Sequence, residues 1–435
     1  MTDPHATAVL ACVSGPDQGK RLPLFDRAQL IGRGPDCQLL SDDPGVAPRH
    51  VAVVLRENSA RFLTLEPATS RVNGLLKNQG TLGPGDQLRI GDSVWQVEGR
   101  VRPSGEVSFL ESLGEKISTA AGVEKIQGWS AADMFSEVFK HRSEEEIESY
   151  FGVGTPTTTP SLLDVETSWP KPWAFFRSLA LSLAVYVGFV FAWNEFGNPY
   201  LLPGLMMVGS FAVPLSILIF FFEMNVLRNI SLYQLIRLVL VGGLLSILIS
   251  LFGFRWTGLE NWLGAMSAGI VEETGKTVTL VLMARNPRYR WTLNGLLLGA
   301  AVGTGFAVFE TAGYAFDHGL LEGGTQGMLN VIFTRGVLSV FGGHALFTGL
   351  VGAALWRVRA GRPITQEMLL DPRFLRVFAL AVVLHMVWNS PVQLPLLGKY
   401  LIVGFVAWVA LLSFIQDGLR QVRREQVTMM PTAVG

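Results

Sequence analysis

Four groups of polar residues lie inside long apolar stretches of this chain, and each has a spacing suited to chemistry. The first is Glu272, Glu273 and Lys276, in VEETGK. Adjacent carboxylates repel in an apolar surround. Lys276 lies one helical turn from both and can offset one charge. One carboxylate is then left for general-base work and the other acts as its structural partner. The second group is Phe309, Glu310 and Tyr314, with Glu310 and Tyr314 on one helix face at i, i+4. The third is His344 in GGHALFTG, where Gly342 and Gly343 permit close helix approach and Arg335 lies about two turns toward the outer end. The fourth is His385 with Asn389 in LHMVWNS, two donors on one face that could hold an oxyanion. An ionisable residue inside a membrane segment is expensive and marks function by default. Singly, each residue also fits a structural hydrogen bond or a transporter's proton relay.

The elements that would position these groups follow from composition. The chain has 435 residues, 35 basic and 35 acidic, so it carries no net charge. That excludes nucleic-acid binding through bulk positive charge. Only 16% of residues are charged, and mean hydropathy is +0.36. Cys12 and Cys37 form no disulfide scaffold and no zinc-ligand spacing. The opening residues MTDPHATAVLACVSG lack a basic stretch and do not read as a signal peptide. The apolar mass is concentrated in 174–415, and residues 1–170 read as soluble. Eight spans are expected, at 174–195, 201–223, 234–254, 259–284, 292–316, 330–356, 374–394 and 399–416. Arginines cluster in alternate loops, at Arg228 and Arg237, at Arg285–Arg290, at Arg357–Arg376, and after the last span at Arg420–Arg424. The other loops hold only Arg255 and Lys399. By the positive-inside rule both ends of the chain are cytoplasmic. At about 1.5 Å per residue, Glu272, His344 and His385 fall at similar depth, and Glu310 falls nearer the outer surface.

The first hundred residues alternate in short runs between turn signals: ATAVLACVSG, QLIGRG, HVAVVL, ARFLTLE, QLRIGD and SVWQVEG, with turns at Gly-Pro-Asp, Asn-Ser, Asn-Gly and Pro-Gly-Asp. They predict an all-β sandwich over 1–102. A polar helical linker is expected over 103–168, with capping boxes at Ser130/Asp133 and Ser143/Glu146 and a loop at GTPTTTPSLLDV. Trp169 to Trp173 suit a membrane interface. The all-α multispan domain then runs over 169–417, with a cytoplasmic tail at 418–435.

Glu272-Glu273-x-x-Lys276, Phe309-Glu310-x-x-x-Tyr314, His344 and His385-x-x-x-Asn389, in that order, resemble the PrsW-type intramembrane proteases, distant relatives of the glutamate-type CAAX prenyl endopeptidases. The resemblance covers about residues 165–415. It implies a bacterial endopeptidase of the cytoplasmic membrane that cuts membrane proteins, with anti-sigma factors as the best-known kind of substrate. It also implies that Glu272 activates water with His344 as partner and that His385 and Asn389 stabilise the oxyanion. Glu273 and Glu310 belong to the same catalytic set, Glu273 with Lys276 orienting or tuning the base, and Lys276 and Tyr314 are supporting residues. No cofactor is expected. Zinc held by His344, His385 and a glutamate stays open as the rival chemistry, although no HExxH motif is present. Gly32-Arg33, Arg49-His50, Val72-Asn73-Gly74, Gly85-Asp86 and Ile90-Gly91 resemble a forkhead-associated (FHA) domain over about 8–98. That implies a phosphothreonine or docking partner, with Arg33 and Asn73 as candidate contacts. The pattern departs at Ala47-Pro48, where a phosphate-binding Ser is usual, and at Ala68-Thr69-Ser70, where Asn-Gly-Thr is usual. Ser41 and Ser70 are candidate substitutes. The alternatives are a non-proteolytic transporter or receptor, and an inactive relative that binds substrates without cutting them.

Overall fold

The computed structural model describes residues 8–25, 27–56, 59–65, 68–83, 85–99, 116–120, 122, 134–319 and 323–429. The chain divides into two compact units, 1–110 and 111–435. The expected capping pair Ser130/Asp133, Asn58 of the Asn-Ser turn and Pro84 of the Pro-Gly-Asp turn lie outside the described residues.

The first unit is a two-sheet β-sandwich. Its strands are β1 (Ala8–Ser14), β2 (Arg21–Leu24), β3 (Gln29–Gly32), β4 (Leu39–Leu40), β5 (Val51–Arg56), β6 (Ser59–Thr64), β7 (Ser70–Val72), β8 (Leu75–Leu76), β9 (Gln79–Leu82), β10 (Gln87–Ile90) and β11 (Ser93–Gly99). One sheet has the order β2-β1-β11-β10-β7-β8 and the other β4-β3-β5-β6-β9. All six predicted runs become strands. The missed ones, β2, β4, β7, β8 and β9, have two to four residues, too few for alternation to register. Strand period two turns Ser93, Trp95 and Val97 of β11 inward, and Trp95 is packed with Leu10, Ile31, Val53 and Leu88.

In the second unit, α1 (Glu144–Phe151) begins at the predicted Ser143/Glu146 capping box. The GTPTTTPSLLDV segment is bonded to the helices rather than free. Arg288 donates to the Gly154 carbonyl and the Thr159 hydroxyl, and Gln426 donates to the carbonyls of Leu162 and Val165. The membrane helices are α2 (Trp173–Phe196), α3 (Leu201–Met224), α4 (Leu232–Thr257), α5 (Ser267–Met283), α6 (Thr292–Asp317), α7 (Gly324–Val331), α8 (His344–Arg359), α9 (Pro372–Asn389) and α10 (Gly398–Met429). Among the described residues, six helical stretches are long and apolar enough to cross a membrane. The expectation was eight. The two that fall short, α5 and α9, are also the ones that carry the Glu pair and His385, and their length and polar content keep them below the measure.

Helix α6 is the centre of the bundle: every residue from Thr292 to Val308 is buried, so it is apolar all round rather than amphipathic. Its Gly295, Gly299 and Gly303, spaced one turn apart, let α8 approach to backbone contact. A Cβ on Gly299 would lie 2.2 Å from the Thr348 carbonyl oxygen, and one on Gly303 2.2 Å from that of His344. Small residues at such a seam let dispersion contacts accumulate where no hydrophobic drive exists. Helix α5 is seated the same way, Gly275 against Ser246 and Ser250 of α4 and Gly269 against Val382 and Met386 of α9.

Gly299→Ala should therefore destabilise the bundle by about 1–3 kcal/mol through overpacking. Gly188→Ala on α2, where nothing lies within 4 Å of a new Cβ, should be neutral or stabilising. Thermal unfolding of both variants in detergent checks the contrast; equal shifts would mean the α6–α8 seam is not tight.

Candidate active site

The polar groups of α5, α6, α8 and α9 converge. Glu272 and Glu273 are successive on α5 and both are buried. Lys276, also fully buried, donates to Glu273 Oε1 at 2.7 Å and reaches His344 Nδ1 at 2.7 Å. His385 Nδ1 lies 3.0 Å from the same Glu273 oxygen. His385 Nε2 faces Glu272 Oε2 at 3.6 Å, and His344 Nδ1 lies 3.9 Å from that oxygen. The two imidazoles pack edge to face with centroids 4.8 Å apart. Phe306 closes one side, 4.9 Å from the His344 ring and 4.5 Å from the Lys276 ammonium. Glu272 Oε2 and Glu273 Oε2 are buried without an aligned hydrogen bond. Buried carboxylate oxygens of this kind are costly unless a proton, water or ion meets them.

Glu310 is part of the same cluster: its Oε2 lies 2.8 Å from His344 Nε2, without an aligned hydrogen bond, and its Oε1 lies 2.6 Å from Arg335 Nη2. Glu310, counted along the fifth span, was set nearer the outer surface than His344, whose own depth was counted along a continuous sixth helix. The structure breaks it. A π-helical turn (Ile332–Gly336) and a 3₁₀ turn (Val337–Val340) precede α8, and His344 is the first residue of α8 after a non-helical gap. Counting 1.5 Å per residue fails across such a break. Tyr314 is partly exposed and stacks on the Arg335 guanidinium, 4.3 Å from the ring centroid. Asn389 is half-buried at the last turn of α9, and Lys399 donates to the following Ser390 carbonyl at 2.9 Å.

Sequence reasoning noted Arg335 only as a neighbour of His344 and passed over its pairing with Glu310. It also missed Glu223, a buried acid at the end of the FFFEM run. Glu223 accepts from the amides of Ala174 and Phe175 at 2.9 and 2.8 Å and from the Tyr150 hydroxyl at 3.1 Å. It caps the open N-terminus of α2 and ties α1 to the bundle. An acid closing an apolar run was the available signal.

In the sandwich, Arg33 is exposed and donates from Nε to the Val46 carbonyl at 2.6 Å. Asn73, at φ 50° in the β7–β8 turn, donates to Asp86 and accepts from the Gln87 amide at the start of β10, a structural task. Neither candidate substitute for the missing Ser is available. Ser41 is buried and donates to Asp17, and Ser70 is buried and bonded to Thr64. His50 accepts from the Ala47 amide at 3.1 Å and contacts the Thr69 carbonyl at 2.9 Å; burial lowers its pKa, so the ring is held neutral.

Residues 213–415 match the profile described as PrsW family intramembrane metalloprotease. The chain carries a PrsW-family membrane domain. It joins this PrsW domain to an FHA-like sandwich: residues 11–100 match the profile of the inner membrane component of the T3SS, cytoplasmic domain. A curated relative, an oxoglutarate dehydrogenase inhibitor from Corynebacterium jeikeium, is 31% identical over 91 residues, 20% of this chain. The chain spans 62% of that relative's length. Among solved structures, the FhaA FHA domain is 28% identical, covering 21% of this chain and 99% of its own, with a TM-score of 0.20. The cytoplasmic domain of the sorting-platform protein PscD from P. aeruginosa is 22% identical, covering 23% of this chain and 92% of its own, with a TM-score of 0.21.

In the PrsW domain the Arg335–Glu310 pair is half-buried, its side chains 20% and 12% exposed. Breaking one half of a buried pair strands the other charge. Arg335→Leu should lower stability by about 1–3 kcal/mol, less than a fully buried pair costs, with Arg335→Lys recovering part. Thermal unfolding of purified protein tests it; an unchanged transition for Arg335→Leu would show that Glu310 does not depend on the pair.

Proposed function

We propose that the chain is an endopeptidase of the bacterial cytoplasmic membrane that hydrolyses membrane-protein substrates at the Glu272–His344–His385 cluster. The observation that carries the reading is the juxtaposition of a buried, unpaired Glu272 oxygen with two imidazoles in a membrane domain of a peptidase family. Water between Glu272 and an imidazole would lose its proton as it attacks a peptide carbonyl. Asn389, on the open end of α9, is available to the oxyanion. Glu273 and Lys276 neutralise each other and hold the rings in place. Glu310 braces His344 from the opposite side. Both termini face the cytoplasm, as the arginine-rich alternate loops support. Substrates with one exposed membrane segment, anti-sigma factors among them, are the class we favour.

A metal-assisted reading is supported by the donor set. Glu272, His344 and His385 each offer a ligand atom within 4.8 Å of the others, and the far ring nitrogens face Glu310 and Glu273. A carboxylate behind each ligating histidine is the arrangement metal sites use. These residues therefore fit a divalent ion, provided Lys276 gives up its contact with His344 Nδ1. A bound ion would supply Lewis-acid activation of water. In the reading we favour, the Lys276 ammonium is the cation of the site and no ion is needed.

The FHA-like sandwich is proposed as a cytoplasmic docking domain for a protein partner. Phosphothreonine recognition would rest on Arg33, with Ala47 in place of the usual hydroxyl.

New N-termini in membranes that express wild type should vanish with Glu272→Gln and with His344→Ala, while insertion is unchanged. Cleavage that persists in both variants would sink the peptidase reading. Chelation by phenanthroline should leave wild-type cleavage intact; loss restored by zinc would move the mechanism to the metal. A phosphothreonine peptide library should give binders that Arg33→Ala loses, and an empty screen would leave the sandwich as a docking module without phosphate chemistry.

A further inference from the structure

The outer face of the six-stranded sheet carries positive charge that the sandwich itself does not answer. Arg71 on β7 and Arg89 on β10 are directly opposite in register, and both are exposed. Residues so paired share one face with Cβ atoms about 5 Å apart, and like charges there repel. The row continues on both sides: Val94 of β11 is opposite Arg89, and Leu76 of β8 is opposite Arg71. Leu76 lies on the last strand of the sheet and is 61% exposed. Arg71, Arg89 and Val94 line a groove of about 760 Å³ that also takes in Ala47 and Thr69, a size common among ligand sites. Among the described residues none that lines it is acidic, and Arg33 is not one of them. Arg71 makes a 3.3 Å contact with the Gly74 carbonyl. Arg89 donates to the Gly91 carbonyl at 3.2 Å and to Asp92, itself 76% exposed, at 3.0 Å. An ion pair so exposed is weak, and each guanidinium has five donors. Most of that donor capacity faces the groove's solvent.

We infer that this groove is the docking face of the sandwich, and that it takes an extended acidic segment of a protein partner. Two carboxylates at i and i+2 of that segment meet Arg71 and Arg89, and an apolar residue two positions further on covers Leu76. The inference rests on the docking reading and supplies its face and its partner chemistry. Charge complementarity selects the occupant. A carboxylate matches the guanidinium fork with two parallel hydrogen bonds. In an extended chain every second side chain points the same way, about 6.6 Å apart, which two long arginine side chains can span. The same two anions relieve the repulsion between the arginines. A phosphoryl group is not needed. The hydroxyl that the FHA pattern offers to a phosphate is Ala47 here, and Ser41 and Ser70 are spent in the interior. Carboxylates need only the guanidiniums, and those are present.

Fluorescence anisotropy tests this with full-length protein in uncharged detergent at low salt. The probe is the labelled peptide acetyl-Ala-Glu-Gln-Glu-Ala-Leu-Ala-amide. A second peptide has Gln for both Glu, and a third has one phosphothreonine in place of the first Glu and Gln for the other. The Glu peptide should bind, and the Gln peptide should bind at least about tenfold more weakly, as the loss of charge-assisted pairs requires. Arg71→Gln and Arg89→Gln should each weaken binding of the Glu peptide by about tenfold, and added salt should weaken it in the wild type. Arg61→Gln removes the same charge from β6 of the other sheet and should leave binding unchanged. Neither groove variant should unfold earlier than wild type, because each relieves a like-charge pair; a merely structural pair of arginines would lose stability instead. Binding of the Glu peptide that survives both Arg71→Gln and Arg89→Gln overturns the inference while the docking reading stands. Tighter binding of the phosphothreonine peptide, lost with Arg33→Ala and kept in both groove variants, does the same and moves the face to Arg33. No binding of the Glu peptide also overturns it, and the phosphothreonine library then decides the docking reading by itself.

Discussion

A single buried ammonium organises the membrane site. Lys276 stands between Glu273 and His344 and above the face of Phe306, with no exposure to solvent. A lysine in so apolar a place is tolerable only when its charge and its donors are all met. Meeting them recruits one residue from its own helix, one from α8 and one aromatic from α6. Through Glu273 it also governs His385 on α9. Four helices are therefore tied to one cation, and the geometry of every other polar group in the cluster is set relative to it.

That arrangement depends on backbone proximity. Helix α8 can present His344 to Lys276 only because α6 yields its side chains along Gly295, Gly299 and Gly303. The break before His344 matters as much. The segment from Ile332 to Gly343 leaves the regular helix, so α8 starts inside the bundle with its first residue in the site. Irregular backbone at membrane depth is tolerated where protein covers it, and π-helical turns recur at functional positions. On the opposite side of His344, Arg335 emerges from that turn and answers Glu310.

The FHA-like sandwich follows a different logic. Its core is an alternation of inward apolar residues around Trp95, and its polar loops are fastened by Asp17, Asp43, Ser41 and Ser93. Residues that looked free in the sequence are consumed by that fastening: Ser41 and Ser70 are interior, and Asn73 ties a turn. Of the expected contacts Arg33 and Asn73 both reach the surface, but the Asn73 side chain is spent on Asp86 and the Gln87 amide.

Much of this was readable along the chain. Apolar length and arginine placement gave the helical membrane half, period-two runs gave the strands, and the Ser143 capping box gave a helix start, because each of these signals is local. The identities of Glu272, Glu273, Lys276, Glu310, His344 and His385 stood out for the same reason: an ionisable residue in an apolar run is visible without any fold. Their partners were not visible. The depth of Glu310, the pairing of Arg335, the capping role of Glu223 and the edge-to-face packing of the two imidazoles depend on where separate helices cross and where one of them breaks. Those are set by steric contact between residues tens of positions apart, such as Gly303 against His344, and residue spacing along the chain carries no record of them.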